Sequence, residues 1–165
     1  MFGITGDLWL PIKDGDERAA ALYLRHYSMN QYTRDRRVMG ARNRFLIMGP
    51  GEKMLLLTPD CRAVFGWRKF IDRSGQEGVN CSIFRNEGAF NGAVRSSDLI
   101  LAAEEFAIQR WGGVRLYTYV DPSALPAGRR PGYVFEVAGW RRCGVTIRYK
   151  RLIFEKCNYI QGAQL

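Results

Sequence analysis

A junction between a strand and a helix is the first place where the residue types suggest chemistry. The segment NCSIFRNEGAFNGAVRSSDLILAAEEFAIQRW, residues 80–111, passes through small residues into a helical pattern that opens at Ser96 and Ser97. The first N–H groups of a helix lack intrahelical acceptors, and a diphosphate could satisfy them. Serine is also a common N-cap, and Asp98 suits a first helical turn. The segment therefore predicts either an anion-binding helix start or an ordinary capped helix.

Basic residues are the second chemical feature. The chain has 25 lysines and arginines against 16 aspartates and glutamates, a formal net charge of +9, and most of the cations are arginine. This charge predicts a nucleic-acid or other phosphate-bearing partner, although it can also serve solubility alone. The densest patch, in residues 33–45, would hold phosphates while Tyr32 and Phe45 stack on bases; otherwise it is a solvated loop. Its arginines are Arg34, Arg36, Arg37, Arg42 and Arg44.

The cysteines indicate no metal or redox site. Cys61, Cys81, Cys143 and Cys157 stand far apart, without a CxxC pair. We interpret all four as small buried hydrophobic residues, as free cysteines usually are in a reducing environment. With one histidine and scattered carboxylates, no metal site can be read from the sequence.

Hydrophobic patterns place these residues on helices and strands. Residues 16–32 carry an apolar stripe at helical spacing, and apolar runs divided by turn residues predict a three-stranded antiparallel meander ending with Val79–Asn86. Ser96–Trp111 is the clearest helix, and the glycines at 112 and 113 end it. The remaining elements are a strand at residues 114–121, a short helix at residues 132–139 and one strand, whole or broken, at residues 145–156.

The order of these elements predicts the fold class. A strand–helix–strand run around Ser96–Trp111 requires a crossover and hence locally parallel pairing. The length, the 47% of hydrophobic residues and the lack of internal repeats predict one α+β domain, residues 1–165, with a mixed, mostly antiparallel sheet flanked by helices. No apolar run reaches the ~18 residues that a membrane span needs, and the N-terminus lacks a secretory pattern, which favours a cytoplasmic location.

The order meander, helix, strand, short helix, strand resembles the GNAT N-acetyltransferase superfamily. The segment GYVFEVAGWRRCGVT, residues 132–146, is similar to a family segment of the type LYEKLGFxxxG. Phe135 and Glu136 stand where the family usually has Tyr-Glu, and Gly139 and Trp140 match its Gly-Phe. The diphosphate loop is degenerate, since NGAVRSSDL lacks a clean R/Q-x-x-G-x-G/A.

A narrower resemblance covers nearly the whole chain. The segments RHYSMNQY, GPGEKMLLLTPD, VNCSIFRNEG, SSDLILAA, RLYTYVDP and PGYVFEVAGWRRCGVT, in this order, look like the Mom-like DNA-modification proteins of bacteriophages. The resemblance implies a phage-encoded enzyme that places an acetamido (carbamoylmethyl) group on the exocyclic amine of adenine in DNA and so protects it from restriction. Acyl transfer from acetyl-CoA would give an amide instead, so further chemistry, another donor or a redox metal would be needed.

The superfamily resemblance also implies a binding site for acetyl-CoA or a related CoA thioester. The strand Val79–Asn86 would pair its backbone with the pantetheine arm, and the helix start would hold the diphosphate, where Arg95 adds a charge-assisted bond unless it is a solvated loop arginine. The residues so assigned are Ile83, Phe84, Arg85, Arg95, Ser96 and Ser97.

The resemblance further implies catalytic roles. Tyr133, near the start of the short helix, would return a proton to the coenzyme thiolate, which Phe135 at the family's tyrosine position cannot do; a core aromatic residue is the alternative. Asp121 ends a strand, where functional groups often project, but precedes Pro122 and could equally start a turn. The only histidine, His26, would take a proton from the attacking amine, unless it is structural or exposed.

Two other functions stay open. One is a GNAT enzyme that acylates a different amine, and the other is a non-catalytic nucleic-acid-binding protein on a degenerate GNAT scaffold. The degenerate diphosphate loop and Phe135 favour the second. The oligomeric state also stays open, with a homodimer as one option.

Overall fold

The computed structural model describes residues 8–25, 45–71 and 73–158. The described strands form one mixed seven-stranded sheet in the order β1-β2-β3-β4-β5-β7-β6. The strands are β1 Leu10–Ile12, β2 Glu52–Leu57, β3 Ala63–Lys69, β4 Val79–Asn86, β5 Arg115–Val120, β6 Arg141–Val145 and β7 Leu152–Cys157. The helices are α1 Glu17–Leu24, α2 Ser96–Trp111 and α3 Tyr133–Val137, with short 3-10 turns at Ala89–Gly92 and Pro122–Ala124. The predicted α+β class is confirmed.

The meander β2-β3-β4 is antiparallel throughout, as predicted. Its first turn is built by Thr58, whose buried hydroxyl accepts from the backbone N–H groups of Arg62 and Ala63 and donates to Asp60. Strand β1, which the sequence analysis did not predict, extends the sheet by pairing antiparallel with β2. Three residues are too few for a hydrophobic period to emerge from the sequence.

The crossover through α2 joins β4 to β5 in parallel, as predicted. Both β4 and α2 have the predicted bounds. Helix α2 packs its apolar side on the sheet, where two indoles fix it: Trp9 Nε1 donates to the Leu99 carbonyl at 2.9 Å and Trp67 Nε1 to the Ala103 carbonyl at 2.8 Å. These bonds satisfy tryptophan N–H groups that burial would otherwise leave unpaired.

Each face of the sheet has its own core. The α2 face holds α2, α3 and a cluster of large aromatic residues, among them Phe65, Trp67 and Phe154. The opposite face is covered by α1 through a smaller aliphatic cluster, to which Leu22 and Ile83 belong. Helix α1 is the described part of the predicted helix at residues 16–32. It begins after Asp16, whose side chain accepts from the Arg18 N–H at 2.9 Å.

Two expectations are corrected. The C-terminal strand predicted at residues 145–156, whole or broken, is instead part of a hairpin, in which β6 and β7 pair antiparallel around a loop that follows Val145. Cys143 and Cys157 are exposed and Cys61 is half-buried, whereas Cys81 is buried as expected. Cys143 lies on β6, an edge strand whose side chains are mostly exposed. In the described part of the chain, no helix is long and apolar enough to span a bilayer.

Candidate active site

A gap opens between β4 and β5. Their parallel pairing covers only Val79 to Cys81 on β4, which lie opposite Leu116 to Thr118 on β5. At the last paired position, the Thr118 hydroxyl donates to the Cys81 carbonyl at 2.9 Å. Beyond it β4 runs on to Asn86, and no described strand pairs with this edge of residues 82–86. Because backbone N–H and C=O groups require partners, an extended amide-bearing ligand can pair with this edge.

The loop between β4 and α2 is held in a fixed shape. Asn86 Oδ1 accepts from the N–H groups of Gly88 and Ala89 at 3.1 and 2.9 Å. The Phe90 N–H donates to Asp60 Oδ2 at 2.6 Å, so the turn between β2 and β3 helps to hold this loop in place. Phe90 and Asn91 adopt left-handed conformations, with φ of 56° and 55°. Such conformations are sparsely populated outside glycine. Contacts with the surrounding structure must therefore hold this loop in its shape.

Helix α2 begins without a side-chain cap. Its N-cap residue is Arg95, with extended φ and ψ of −71° and 151°. The Ser96 hydroxyl instead accepts from Asn86 Nδ2 at 3.0 Å. Among the described residues, no acceptor lies on the N–H groups of Arg95, Ser96 or Ser97. The ordinary capped helix is therefore wrong for this site, and the predicted anion-binding start has the free donors that it needs.

Arg95 places a positive charge beside these donors. Its guanidinium pairs with Asp98 at 3.1 and 3.2 Å, and 74% of its side chain is exposed. The hydrogen bond from Arg95 lowers the pKa of Asp98 below its usual range. An exposed pair of this kind is weak, so the guanidinium can leave Asp98 for a phosphate at low cost.

Tyr133 stands at the start of α3, a helix that contacts α2. It follows Gly132, which has a left-handed φ of 76° and lies so close to Phe154 that an added Cβ would come within 2.3 Å of the ring. Tyr133 is 58% exposed, and its phenol has no hydrogen-bond partner among the described residues. The pKa of Arg95 is raised, mainly by its hydrogen bond to Asp98 and in smaller part by Tyr133.

Phe135, at the position of the family's usual tyrosine, belongs to the core. It is buried, and its ring lies 6.3 Å from that of Phe84 on β4 and 4.9 Å from that of Trp140. Helix α3 is thus packed against the unpaired half of β4. Phe135 supports the gap with apolar contacts, and of the aromatic residues on this helix only Tyr133 offers a hydroxyl.

A buried carboxylate that the sequence analysis missed anchors α3 from its other end. Glu104 on α2 accepts from Trp140 Nε1 at 2.6 Å and from Lys156 Nζ at 2.9 Å. Lys156 also donates to the Ala138 carbonyl at the end of α3, at 2.9 Å. Burial raises the pKa of Glu104, although both donors act to lower it. The signal was present in the sequence, because Glu104 stands four residues after Ile100, within the apolar stripe of α2.

Glu87, which follows β4, ties the end of α1 to that strand. Its carboxylate accepts from Arg25 at 2.8 Å and from Arg85 Nε at 2.7 Å. The Arg25 bond, followed by that of Arg85, lowers the pKa of Glu87 to about 2. Arg85, assigned to the coenzyme by the resemblance, is thus engaged within the chain, and the side chain of Ile83 is buried in the core under α1. On Ile83 only the backbone can face the gap.

The remaining predicted residues are placed as follows. Asp121 lies at the end of β5 and starts a turn, since its Oδ1 accepts from the N–H and hydroxyl of Ser123 at 2.9 and 2.6 Å. His26 and the patch at residues 33–45, except Phe45, lie outside the described residues. Cys81 lies at the fork, the point where β4 and β5 separate. Burial raises the pKa of its thiol, so the thiol stays protonated and is a poor nucleophile. Among the described residues, no group of three or more metal-ligating side chains is present.

Comparison with known proteins adds the fold family. No protein-family model matches the sequence, and no curated protein matches it. A solved structure from Lactobacillus plantarum, assigned as an N-acetyltransferase, superposes with a TM-score of 0.51 at 20% identity, covering 92% of this chain and 99% of the other. A GNAT-family acetyltransferase assigned in Bordetella pertussis gives a TM-score of 0.50 at 14% identity, covering 92% and 96%. The chain therefore has the fold of the GNAT-family acetyltransferases.

Proposed function

We propose that this protein transfers an acyl group from a CoA thioester to an amine. The observation that carries the proposal is the meeting of an unpaired β4 edge with the uncapped start of α2 in a GNAT fold. GNAT acetyltransferases use acetyl-CoA or related thioesters. The two features match the two polar parts of such a molecule, because an edge of amides suits its pantetheine arm and free helix N–H groups suit its diphosphate.

The residues at the gap and at the start of α2 then have distinct roles in binding the coenzyme. The backbone of residues 82–86 pairs with the amides of the arm, and the N–H groups of Ser96 and Ser97 hold the diphosphate. Arg95 leaves Asp98 and adds a charge-assisted bond to a phosphate oxygen. The bond from Thr118 to the Cys81 carbonyl fixes the point at which the strands separate.

The chemical step needs one proton acceptor and one proton donor. A bound CoA thioester would supply an activated acyl group, whose C–S bond breaks as the N–C bond to the acceptor amine forms. Tyr133 donates its phenolic proton to the departing sulfur. His26 accepts a proton from the attacking amine, with Asp121 at the end of β5 as the alternative acceptor.

Titration calorimetry with acetyl-CoA tests the proposal. We expect Ser96→Pro to weaken binding about tenfold or more, because it deletes one N–H donor to a charged group. Proline is tolerated at the first position of a helix, and the extended Arg95 before it already has a suitable conformation, so the helix should persist. Ser96→Ala is the matched control, since it loses the same hydroxyl and keeps the N–H.

The outcomes separate binding from folding. Weak binding by Ser96→Pro alone, with equal melting temperatures for both variants, supports the helix start as the diphosphate site. Equal binding by Ser96→Pro and wild type would overturn it. A wild-type protein that binds no acetyl-CoA, yet binds DNA in a salt-sensitive manner, would instead favour the non-catalytic alternative.

A nucleic-acid amine is our second candidate for the acceptor. It is favoured by the net charge of +9 and by the resemblance to the Mom-like proteins, which points to the exocyclic amine of adenine. Mass spectrometry of nucleosides from DNA made in cells that express the protein tests this acceptor. A modified adenine that disappears with Tyr133→Phe would support it. Unmodified adenine together with acylation of another amine would contradict it.

A further inference from the structure

The hairpin between β6 and β7 ends in a well-defined tip. The Thr146 N–H donates to the Arg151 carbonyl at 2.8 Å, and the Arg151 N–H donates to the Thr146 hydroxyl at 2.9 Å. Between them lie residues 147–150, in which Lys150 has a left-handed φ of 52°. We call residues 146–151 the hairpin tip.

The hairpin tip exposes apolar side chains next to cations. Ile147 is 90% exposed and Tyr149 58% exposed. The guanidinium carbons of Arg148 and Arg151 lie 5.3 and 5.2 Å from the centroid of the Tyr149 ring, close enough for cation–π attraction. The ring therefore holds two guanidiniums in place. An isolated exposed apolar residue is ordinary by itself. Here Ile147 adds an apolar surface to a loop whose positive charges suit an anionic partner.

Positive charge is concentrated around the hairpin tip. In residues 126–151 the acidic residue is Glu136 alone, against seven basic residues. These are Arg129, Arg130, Arg141, Arg142, Arg148, Lys150 and Arg151. Arg130 pairs with Glu136 and Arg141 with Glu155, whereas Arg148 and Lys150 have no carboxylate partner among the described residues. Charge complementarity therefore favours an anionic partner.

The hairpin tip lies at the same end of the sheet as the gap. Leu152, the first residue of β7, is opposite both Val145 on β6 and Val120, the last residue of β5. The parallel strands β4 and β5 separate toward that same end. A partner bound at the hairpin tip would therefore approach the open end of the gap and Asp121, which follows Val120.

We propose that the hairpin tip binds a single-stranded or locally opened nucleic-acid strand. Arg148 and Lys150 contact phosphates, and Ile147 packs against the exposed face of a base. This inference deepens the proposed function with its second acceptor, since it identifies where the strand that carries the amine would be held. Guanidiniums fixed on a ring suit phosphate oxygens, and bases offer flat apolar surfaces that an acidic peptide lacks.

Fluorescence anisotropy with a labelled 20-nucleotide single-stranded DNA tests the inference at several salt concentrations. We expect Arg148→Ala/Lys150→Ala to lower the slope of log affinity against log salt by about 1.4, because each lost single-strand phosphate contact removes about 0.7. Ile147→Ser should weaken binding about fivefold at every salt concentration with an unchanged slope, since it removes an uncharged contact with a base.

Lys69→Ala/Arg73→Ala is the matched control. It removes two exposed charges at the opposite end of the sheet, because β3 runs antiparallel to β4. The inference predicts a smaller loss of slope for this variant than for the hairpin-tip variant. Equal losses would show that bulk charge alone drives binding and would overturn the inference, as would wild-type affinity in Ile147→Ser.

The same variants distinguish other partners and other failures. Vesicles with about one third phosphatidylserine serve as the lipid probe; binding to them that needs Ile147, without binding to the oligonucleotide, would overturn the inference. The anisotropy experiment contains no coenzyme. A protein that binds DNA through the hairpin tip but binds no acetyl-CoA would therefore refute acyl transfer and leave the hairpin-tip inference standing.

Discussion

The two ends of the β4–β5 pair differ sharply. At the closed end, Gly78 lies so near Arg115 that an added Cβ would come within 2.2 Å of its carbonyl oxygen. The Arg115 side chain also binds Gln76 and the Glu77 carbonyl at 2.9 Å, and Glu155 at 2.8 Å. At the open end, the last residues of the two strands, Asn86 on β4 and Val120 on β5, are not paired with each other.

The difference shows how a sheet can contain a gap and remain stable. Each separating strand keeps a full partner on its outer side, since β4 pairs with β3 up to Asn86 and β5 pairs with β7 up to Val120. Side chains then hold the open end in position. Glu87 ties β4 to Arg25, and the Phe135 ring packs against the Phe84 ring on β4. Within β4, the edge toward β5 is unpaired at residues 82–86, where a ligand could pair with it.

The largest expected effect comes from removing the anchor of α3. Lys156→Met leaves Glu104 buried without its cation, and breaking a buried pair in this way typically costs about 3–5 kcal/mol. We expect a matching loss in the free energy of unfolding, measured with urea, and faster hydrogen exchange in α3 than in Val79–Cys81. The open end should loosen before the closed end does.

Glu104→Leu/Lys156→Met is the control for that variant. It removes both charges, so it should recover most of the lost stability, because apolar replacements of buried ion pairs are often neutral or better. If this double variant is as unstable as Lys156→Met, the unpaired charge is not the cause. Equal acceleration of exchange at both ends of β4 would contradict the role of α3 at the open end.

A smaller effect is expected at the fork. Thr118→Val keeps the shape of the side chain and leaves the Cys81 carbonyl without its hydroxyl donor, which should cost about 1–3 kcal/mol. Thr118→Ser keeps the hydroxyl and should retain the bond. Urea unfolding measures the stability of both variants, and acetyl-CoA calorimetry reports on the gap. Stability equal to wild type in the valine variant would show that the bond does not fix the fork.

The smallest effect depends on pH. Because the pKa of Glu87 is lowered from its ordinary 4.5 to about 2, its ion pairs stabilise the fold fully above pH 4.5 and lose their effect as the pH falls toward 2. Arg25 is half exposed, so we expect about 1 kcal/mol or less. The stability difference between wild type and Glu87→Gln, measured by urea unfolding, should shrink from pH 7 to pH 2.5. A constant difference would contradict the ion-pair role.

Much of the fold can be predicted from local patterns. The bounds of β4 and α2 follow from an apolar run, a loop of small residues and a helical stripe ended by Gly112. The crossover then requires parallel pairing. The three residues of β1 are too few to carry a pattern, and the hairpin of β6 and β7 escaped prediction because exposed arginines on an edge strand resemble a loop.

Only part of the candidate site can be predicted from residues that are neighbours in the sequence. Ser96 and Ser97 were found as a helix start, but serine at that position is equally typical of a cap. Asn86, ten residues earlier, donates its side-chain N–H to the Ser96 hydroxyl, and the helix start has no side-chain cap. The partners of Glu104 are likewise distant in sequence, because Trp140 and Lys156 reach it from other elements.

The sequence alone determined the order of the main elements from β2 to α3, the excess of positive charge and the position of one helix start, because all of these depend on neighbours along the chain. Tertiary structure decided that β4 and β5 separate after three paired residues, that the helix start is uncapped and that Tyr133 is exposed while Phe135 is buried. The physical reason is that pairing, capping and burial are properties of groups that meet across the fold. No pattern of adjacent residues records which groups meet.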